Sequence, residues 1–149
     1  MLNSDYKDIL LQLSEKKVNF LLVGAYAMAV HGYPRSTMDI DLWIMPDPIN
    51  AASALHALKD FGAPVGGLTL EDLQKEDLIF QIGVAPRRID IVTSIDGIKF
   101  NEAFARSEIM NIEGIPIHVL SIPDLIINKR ATGKTKDLAD AETLEEQKR

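Results

Sequence analysis

Two aspartates at the start of an apolar segment carry the most specific chemistry in the sequence. Asp39 and Asp41 alternate within residues 39–44, a pattern typical of a buried strand. Because strand side chains alternate, both carboxylates point to the same face, about 7 Å apart along the chain. Such a pair repels unless a cation lies between its members, and oxygen ligands at this spacing suit Mg²⁺ or Mn²⁺ in phosphoryl transfer. Asp-x-Asp alone is a weak motif, so the alternative is a strand end with two solvated acids.

A third aspartate lies in a later apolar segment. Asp90 alternates with Ile89 and Ile91, and burying a lone acid in such a strand is costly without a partner. If the two strands are neighbours, Asp90 completes a cluster of three carboxylates. It can then bind metal or act as general base toward an acceptor hydroxyl. The alternative is that Asp90 pairs with Arg87 or Arg88 at the edge of the sheet.

A glycine and three polar side chains upstream of the acid pair indicate a phosphate-binding turn. Gly24 follows the apolar segment 18–23 and opens a helix, so the backbone allows close approach and offers free N–H groups. Arg35 can bind phosphate oxygens in a bidentate manner, and Ser36 and Thr37 can donate hydroxyl hydrogen bonds. The alternative for Gly24 is an ordinary turn.

A run of cations near the C-terminus contrasts with the acidic remainder of the chain. Lys129, Arg130, Lys134 and Lys136 lie within residues 129–136. A positive site that faces a triphosphate would explain this cluster. Favourable charges at the C-terminus of a helix explain it equally well for Arg130 and Lys134.

The elements that must position these residues follow from periodicity and capping signals. We predict helices over residues 4–17, 25–31, 48–60, 121–131 and 137–147 and a helical turn at 101–106. Residues 69–72 form a capping box that predicts a further short helix. We predict strands over residues 18–23, 38–45, 78–84, 88–93, 108–112 and 115–120, the last four forming two hairpins. Hairpins mixed with helices favour an α/β or α+β fold with a mixed, largely antiparallel sheet flanked by helices, not a doubly wound parallel sheet.

The composition is that of one globular domain, which we expect to span residues 1–149. Hydrophobic residues make up 46% of the chain, charged residues 26%, and the net charge is −6. Because cysteine is absent, disulfides, thiolate zinc sites and cysteine nucleophiles are excluded. The negative charge disfavours generic binding to nucleic acid or anionic membranes. With no signal peptide or membrane-spanning stretch, we expect a cytoplasmic protein.

Together these residues resemble the nucleotidyltransferase superfamily with the DNA polymerase β fold. Its pattern of a Gly-Gly or Gly-Ser turn, Asp-x-Asp and a third acid is matched here by Gly24-Ala25, Asp39-Ile40-Asp41 and Asp90. Residues 22–41 and 128–140 are most similar to small stand-alone bacterial members and to the abortive-infection, AbiEii-like toxin nucleotidyltransferases. The likeness covers roughly residues 18–144.

The resemblance implies a role for each matching residue. Asp39, Asp41 and Asp90 would be the catalytic and metal-binding acids, with Asp90 positioning or deprotonating the acceptor. Lys129 would reach the nucleotide, and Asp137 would order the loop that carries Lys136. The implied nucleotide-binding residues are Gly24, Ala25, Arg35, Ser36, Thr37, Lys129, Lys136 and Asp137. Ala25 departs from the family pattern, since it lacks the hydroxyl of the usual serine and leaves only its backbone N–H.

The leading functional hypothesis is a Mg²⁺- or Mn²⁺-dependent nucleotidyltransferase. It would move NMP from an NTP to a hydroxyl of an RNA, protein or small-molecule acceptor and release pyrophosphate. In a chain of 149 residues we do not expect the large helical domain that the toxins use for their acceptor. The alternative is therefore a non-catalytic nucleotide-binding module or a partner in a toxin–antitoxin pair.

A third hypothesis is an antibiotic-modifying nucleotidyltransferase with an acidic pocket for a cationic aminoglycoside. Glu71, Asp72, Glu76 and Asp77 are candidates for that pocket, with a solvated helix face as the alternative. Edge strands of the hairpins also allow a homodimer or a complex with a cognate partner protein.

Overall fold

The computed structural model describes residues 3–33, 39–84 and 87–148, with side chains to residue 146. The helices are α1 (Ser4–Glu15), α2 (Gly24–Val30), α3 (Pro48–Phe61), α4 (Phe100–Arg106), α5 (Ile122–Thr132) and α6 (Thr135–Lys148). The strands are β1 (Phe20–Val23), β2 (Ile40–Ile44), β3 (Ile79–Ile82), β4 (Ile89–Val92), β5 (Glu108–Ile112) and β6 (Ile115–Val119).

The strands form one mixed sheet in the order β3-β4-β2-β1-β6-β5. The pairs β1–β2, β3–β4 and β5–β6 are antiparallel, whereas β1–β6 and β2–β4 are parallel. The predicted mixed, largely antiparallel sheet with helices around it is thereby confirmed. The parallel pairing of β2 with β4 is the feature that matters for the site, because it sets Asp41 directly opposite Asp90.

The core forms where amphipathic helices meet the central strands. Tyr6, Ile9, Leu10 and Leu13 recur at the helical period of α1 and are buried, so α1 presents one apolar stripe. All four residues of β1 are buried as well. The pairs α1–α3 and α5–α6 pack against each other. This arrangement holds β1 and β2 rigidly in the centre of the fold.

Local signals place the helix ends close to their predicted positions. In α3, the Asp47 carboxylate accepts a hydrogen bond from the Asn50 N–H at 2.8 Å, and Gly62 ends the helix at φ +95°. Two details differ from the sequence prediction. The capping box at Thr69 opens only a 3-10 turn, Asp72–Gln74, and α6 begins at Thr135, so Lys136 lies in a helix and not in a loop.

Within the described part of the chain, no helix is both long and apolar enough to cross a membrane.

Candidate active site

The parallel pair β2–β4 places two carboxyl groups side by side. Asp41 lies opposite Asp90, and their carboxyl groups share a hydrogen bond. Burial, reinforced by that hydrogen bond and by the negative charges of Asp90 and Asp39, raises the pKa of Asp41 from 3.8 to about 7. A proton on Asp41 near neutral pH therefore relieves part of the repulsion between the two carboxyl groups.

Arg88 joins the third carboxylate to this pair. Its Nε donates to Asp90 Oδ1 at 2.7 Å, and its Nη2 lies 3.1 Å from Asp90 Oδ2 and 3.2 Å from Asp39 Oδ2. The Arg88 backbone N–H also donates to Asp39 Oδ1 at 2.9 Å. One guanidinium nitrogen is thus shared by Asp39 and Asp90, so the structure brings all three predicted carboxylates together.

The pairing of Asp90 with Arg88, considered from the sequence as an alternative to a site, coexists with the cluster. Strand β4 lies between β3 and β2, so this ion pair is inside the sheet and not at its edge. Asp90 is only 7% exposed. The Arg88–Asp90 ion pair is therefore part of the carboxylate cluster and does not replace that cluster.

Gly24 is required by the close approach of the turn to Asp41. Its φ is +72°, a conformation that L side chains rarely adopt, and a Cβ built there would lie 2.3 Å from Asp41 Oδ2. The glycine at this position in the sequence predicts a close approach of the backbone at this turn. The structure identifies the neighbour as the Asp41 carboxylate.

A cavity of about 320 Å³ opens beside Asp41 and Gly24. Its walls come from β1, β2, the start of β3, the segment after β4, and α5, which contributes Asn128 and Thr132. The remaining lining residues are Val23, Asp77, Leu78, Ile79, Val92, Ser94, Ile95 and Asp96. The space is adjacent to the carboxylate cluster, so a molecule bound there can present a reacting group to it.

The four acidic residues considered as a pocket for a cationic acceptor lie in different places in the structure. Asp77 lines the cavity, and its carboxylate accepts a hydrogen bond from the Ser94 hydroxyl at 2.8 Å. Asp72 instead closes the capping box with Thr69. Glu71 and Glu76 are exposed and are not among the residues that line the cavity.

The C-terminal cations lie apart from the carboxylate cluster. Lys129 is 6% exposed, and its Nζ is held between α5 and α6, 3.0 Å from Asp140 and 3.5 Å from Asp137. Asp137 also accepts a hydrogen bond from the Thr132 hydroxyl at 2.7 Å. Lys129 is thereby connected to the cavity wall only through its neighbours, and its role toward a nucleotide stays a prediction, as does that of exposed Lys136.

Three predicted phosphate ligands, Arg35, Ser36 and Thr37, lie outside the described residues. Arg88 is the site residue that sequence reasoning missed as a functional group. The available signal was its position two residues before Asp90, which places both side chains on one face of a strand.

The donor set suits a hard divalent cation. All three side chains are carboxylates, whose oxygens are the ligands that such a cation prefers. Two of them, Asp39 and Asp90, already hold a cationic guanidinium nitrogen of Arg88. Among the residues described, no three His, Cys, Asp or Glu side chains are grouped tightly enough to hold a metal ion as they stand. Asp41 and Asp90 lie side by side and carry the carboxylate oxygens that such a cation prefers.

A mixed sheet that presents carboxylates from two parallel neighbours beside a glycine turn defines a nucleotidyltransferase-like fold. The chain belongs to the family described as nucleotidyltransferase of unknown function, DUF6036, whose match covers residues 2–145. It is accordingly assigned as a nucleotidyltransferase, as the sequence analysis predicted. The family match does not test the resemblance to AbiEii-like toxins.

Solved structures share the fold at low sequence identity. TM1012 from Thermotoga maritima, assigned as a nucleotidyltransferase, is 20% identical, with a TM-score of 0.60 over 99% of this chain and 94% of that chain. ANT(2″)-Ia in complex with adenylyl-2″-tobramycin is 18% identical, with a TM-score of 0.61 over 93% and 84% of the two chains. No curated protein matches the chain at a significant level.

Proposed function

We propose that the protein is a Mg²⁺- or Mn²⁺-dependent enzyme that transfers NMP from an NTP to a hydroxyl acceptor. The observation that carries this proposal is the register of β2 and β4, which pairs Asp41 with Asp90 beside a cavity. Two converging carboxyl groups are costly to keep in a fold unless their charge is used. The family, nucleotidyltransferase of unknown function, supports the reaction class and leaves the acceptor open.

Asp39, Asp41 and Asp90 would hold the divalent cation, which would neutralise charge on the α-phosphate and on the leaving pyrophosphate. Asp90 would position the acceptor hydroxyl and accept its proton. The acceptor oxygen would bond to the α-phosphorus as the bond between that phosphorus and the bridging oxygen breaks, and pyrophosphate would leave with that oxygen. The turn at Gly24 and Ala25 lies on the Asp41 side of the cavity, where phosphates would approach.

The cavity gives a place for the nucleotide next to the cluster. Thr132 and Asn128 on α5 line the same cavity as Asp41 and Gly24, so a nucleotide bound there would contact both α5 and the glycine turn. Lys129, Lys136 and Asp137 would act from this helix pair, and Arg35, Ser36 and Thr37 would bind the phosphates. We propose that residues 1–149 form one domain. We also place the reaction in the cytoplasm, because NTP and Mg²⁺ are both abundant there.

A cationic small molecule is the acceptor class that one observation favours. Asp77 and Asp96 are two further acidic residues among those that line the cavity. The fold neighbour ANT(2″)-Ia was solved with an adenylylated tobramycin, which is consistent with such an acceptor at this fold. Screening amines, aminoglycosides, RNA and proteins with labelled NTP separates these acceptor classes.

The first experiment is calorimetric titration of each NTP with Mn²⁺ into the wild type and Asp41→Asn. We expect Mn²⁺-dependent binding that is weakened at least about tenfold in the variant, because one of the paired ligands is neutralised. Glu71→Gln removes an exposed carboxylate elsewhere and serves as the control. Equal binding in wild type and Asp41→Asn would exclude the assigned metal site.

Transfer is then followed as pyrophosphate release from labelled NTP. Nucleotide binding without transfer to any acceptor would favour the alternative, a non-catalytic nucleotide-binding or toxin–antitoxin partner module. Co-purification with a cognate partner, or a homodimer formed through the edge strands β3 and β5, would identify that arrangement.

A further inference from the structure

The guanidinium of Arg88 lies among the carboxylates to which the proposed function assigns the metal. It contacts Asp90 at 2.7 and 3.1 Å and Asp39 at 3.2 Å. A divalent cation on the same oxygens would lie about 2.0–2.6 Å from them. Two cationic groups cannot share this space, because they would overlap and repel. Binding of metal to Asp39 and Asp90 therefore requires the guanidinium to leave.

The backbone of Arg88 is anchored independently of its side chain. Its N–H donates to Asp39 at 2.9 Å, and its carbonyl accepts from the Ile40 N–H at 3.0 Å and from the Tyr6 hydroxyl at 3.3 Å. The side chain itself is 29% exposed. The guanidinium can consequently move toward solvent while the start of β4 keeps its position beside β2.

Building on the proposed function, we propose that Arg88 is the built-in counter-ion of the metal site and is released to the substrate when metal and NTP bind together. The triphosphate brings the negative charge that the guanidinium loses when it leaves Asp39 and Asp90. Arginine binds phosphate oxygens in the same bidentate manner as carboxylates. Arg88 would thus make metal loading depend on nucleotide, since each would strengthen the binding of the other.

The test measures Mn²⁺ affinity by electron paramagnetic resonance in the absence of nucleotide. We expect Arg88→Met to bind Mn²⁺ at least about tenfold more tightly than wild type, because the competing cation is removed. Arg87→Met makes the same charge change at the adjacent, exposed residue and is the matched control. Its Mn²⁺ affinity is expected to stay within about twofold of wild type, since exposed charges are screened.

A second measurement repeats the titration with each non-hydrolysable NTP analogue. In wild type the analogue strengthens Mn²⁺ binding, whereas in Arg88→Met this coupling shrinks by about tenfold because no guanidinium has to be relocated. Affinity for the analogue at saturating Mn²⁺ falls in the same variant, as the phosphate contact is lost. A residue with a purely structural role would not shift these affinities in opposite directions.

The outcomes separate the two proposals. Equal Mn²⁺ affinity in wild type and Arg88→Met, with binding still weakened in Asp41→Asn, overturns the role of Arg88 and leaves the proposed function standing. Equal Mn²⁺ affinity in wild type and Asp41→Asn overturns the metal site itself. If Arg88→Met does not fold, Arg88→Gln replaces it, because glutamine is neutral and can still donate a hydrogen bond to a carboxylate. Unchanged Mn²⁺ affinity in Arg88→Gln would likewise overturn the proposal.

Discussion

Two regions of the molecule each hold one cationic side chain among aspartates, and they differ in burial. Arg88 lies between Asp39 and Asp90 with 29% of its side chain exposed, whereas Lys129 lies between Asp137 and Asp140 with 7% exposed. The first cluster adjoins a cavity, and the second is enclosed between two packed helices. The comparison indicates that the same charge arrangement stabilises the fold in one place and stays open to ligands in the other.

The sharpest difference between the two regions is expected in the pH dependence of stability. The pKa of Asp41 is raised by burial from 3.8 to about 7, so the folded protein keeps a proton in this range that the unfolded chain releases. The contribution of protonated Asp41 to the free energy of unfolding is complete below about pH 4. It is lost as pH rises through about 7, and the loss amounts to up to about 4 kcal/mol. Urea denaturation in EDTA between pH 4 and 8 measures the whole loss, of which about 3 kcal/mol falls above pH 5.

The matched variant for this prediction is Asp41→Asn, which has no proton to lose. Its free energy of unfolding should fall much less between pH 5 and 8 than that of wild type. Lys134→Met, which removes an exposed charge, should keep the wild-type pH dependence. A steep fall retained in Asp41→Asn would locate the titrating group elsewhere.

Lys129→Met tests the structural role of the second region. Removing a buried ammonium leaves the nearby carboxylates of Asp137 and Asp140 without its charge, and we expect a loss of about 3 kcal/mol in the free energy of unfolding. Lys134→Met, at an exposed position between α5 and α6, should change it by less than about 0.5 kcal/mol. Similar losses in both variants would contradict a buried ion-pair cluster.

A pair of glycine substitutions compares the regions directly. Gly24 and Gly133 have nearly the same φ, +72° and +70°, but a Cβ at Gly24 would meet Asp41 at 2.3 Å while one at Gly133 would meet open space. Gly133→Ala should cost about 1 kcal/mol from backbone strain, and Gly24→Ala at least about 2 kcal/mol. Gly24→Ala should also weaken Mn²⁺–nucleotide binding, whereas Gly133→Ala should not. Equal effects of the two substitutions on stability and binding would mean that the turn at Gly24 shifts to accommodate a Cβ without a measurable cost.

The smallest expected effect is that of Arg130→Met. Arg130 pairs with Glu145 across α5 and α6, but both side chains are largely solvated, at 49% and 39% exposure. Exposed ion pairs contribute little, so we expect less than about 0.5 kcal/mol. Thermal denaturation alongside Lys129→Met would then show that burial, and not the presence of an ion pair, sets the stability of this region. A loss as large as that in Lys129→Met would refute this explanation.

Much of the fold could be predicted because its signals are local. The stripe of α1, the cap at Asp47, the glycine that ends α3 and the hairpin β5–β6 each depend on residues a few positions apart. Errors occur where tertiary contacts decide the outcome. The capping box at Thr69 is formed as predicted, yet the chain leaves the helix after a single 3-10 turn.

The candidate site likewise has features that the sequence predicts and features that depend on tertiary contacts. The alternation of Asp39 with Asp41, the isolated Asp90 and the glycine turn were readable, because side-chain direction in a strand repeats every two residues. The packing of Lys129 between two aspartates was not readable, since only Asp137 had been singled out and Asp140 lies a further turn along α6. The bridging role of Arg88 was not readable either, because Arg88 contacts Asp39, which lies 49 positions away in the chain.

The sequence by itself determined which residues can do chemistry and which face each occupies within its own strand. It also determined most of the elements and most of their ends, and it determined the two hairpins, since capping, turn chemistry and periodicity act over a few residues. Only the tertiary structure decided that β4 pairs in parallel with β2, in the register that sets Asp41 against Asp90 and Arg88 beside Asp90. Pairing between strands that are distant in the chain depends on burial and hydrogen bonding over the whole sheet, so no local pattern specifies it.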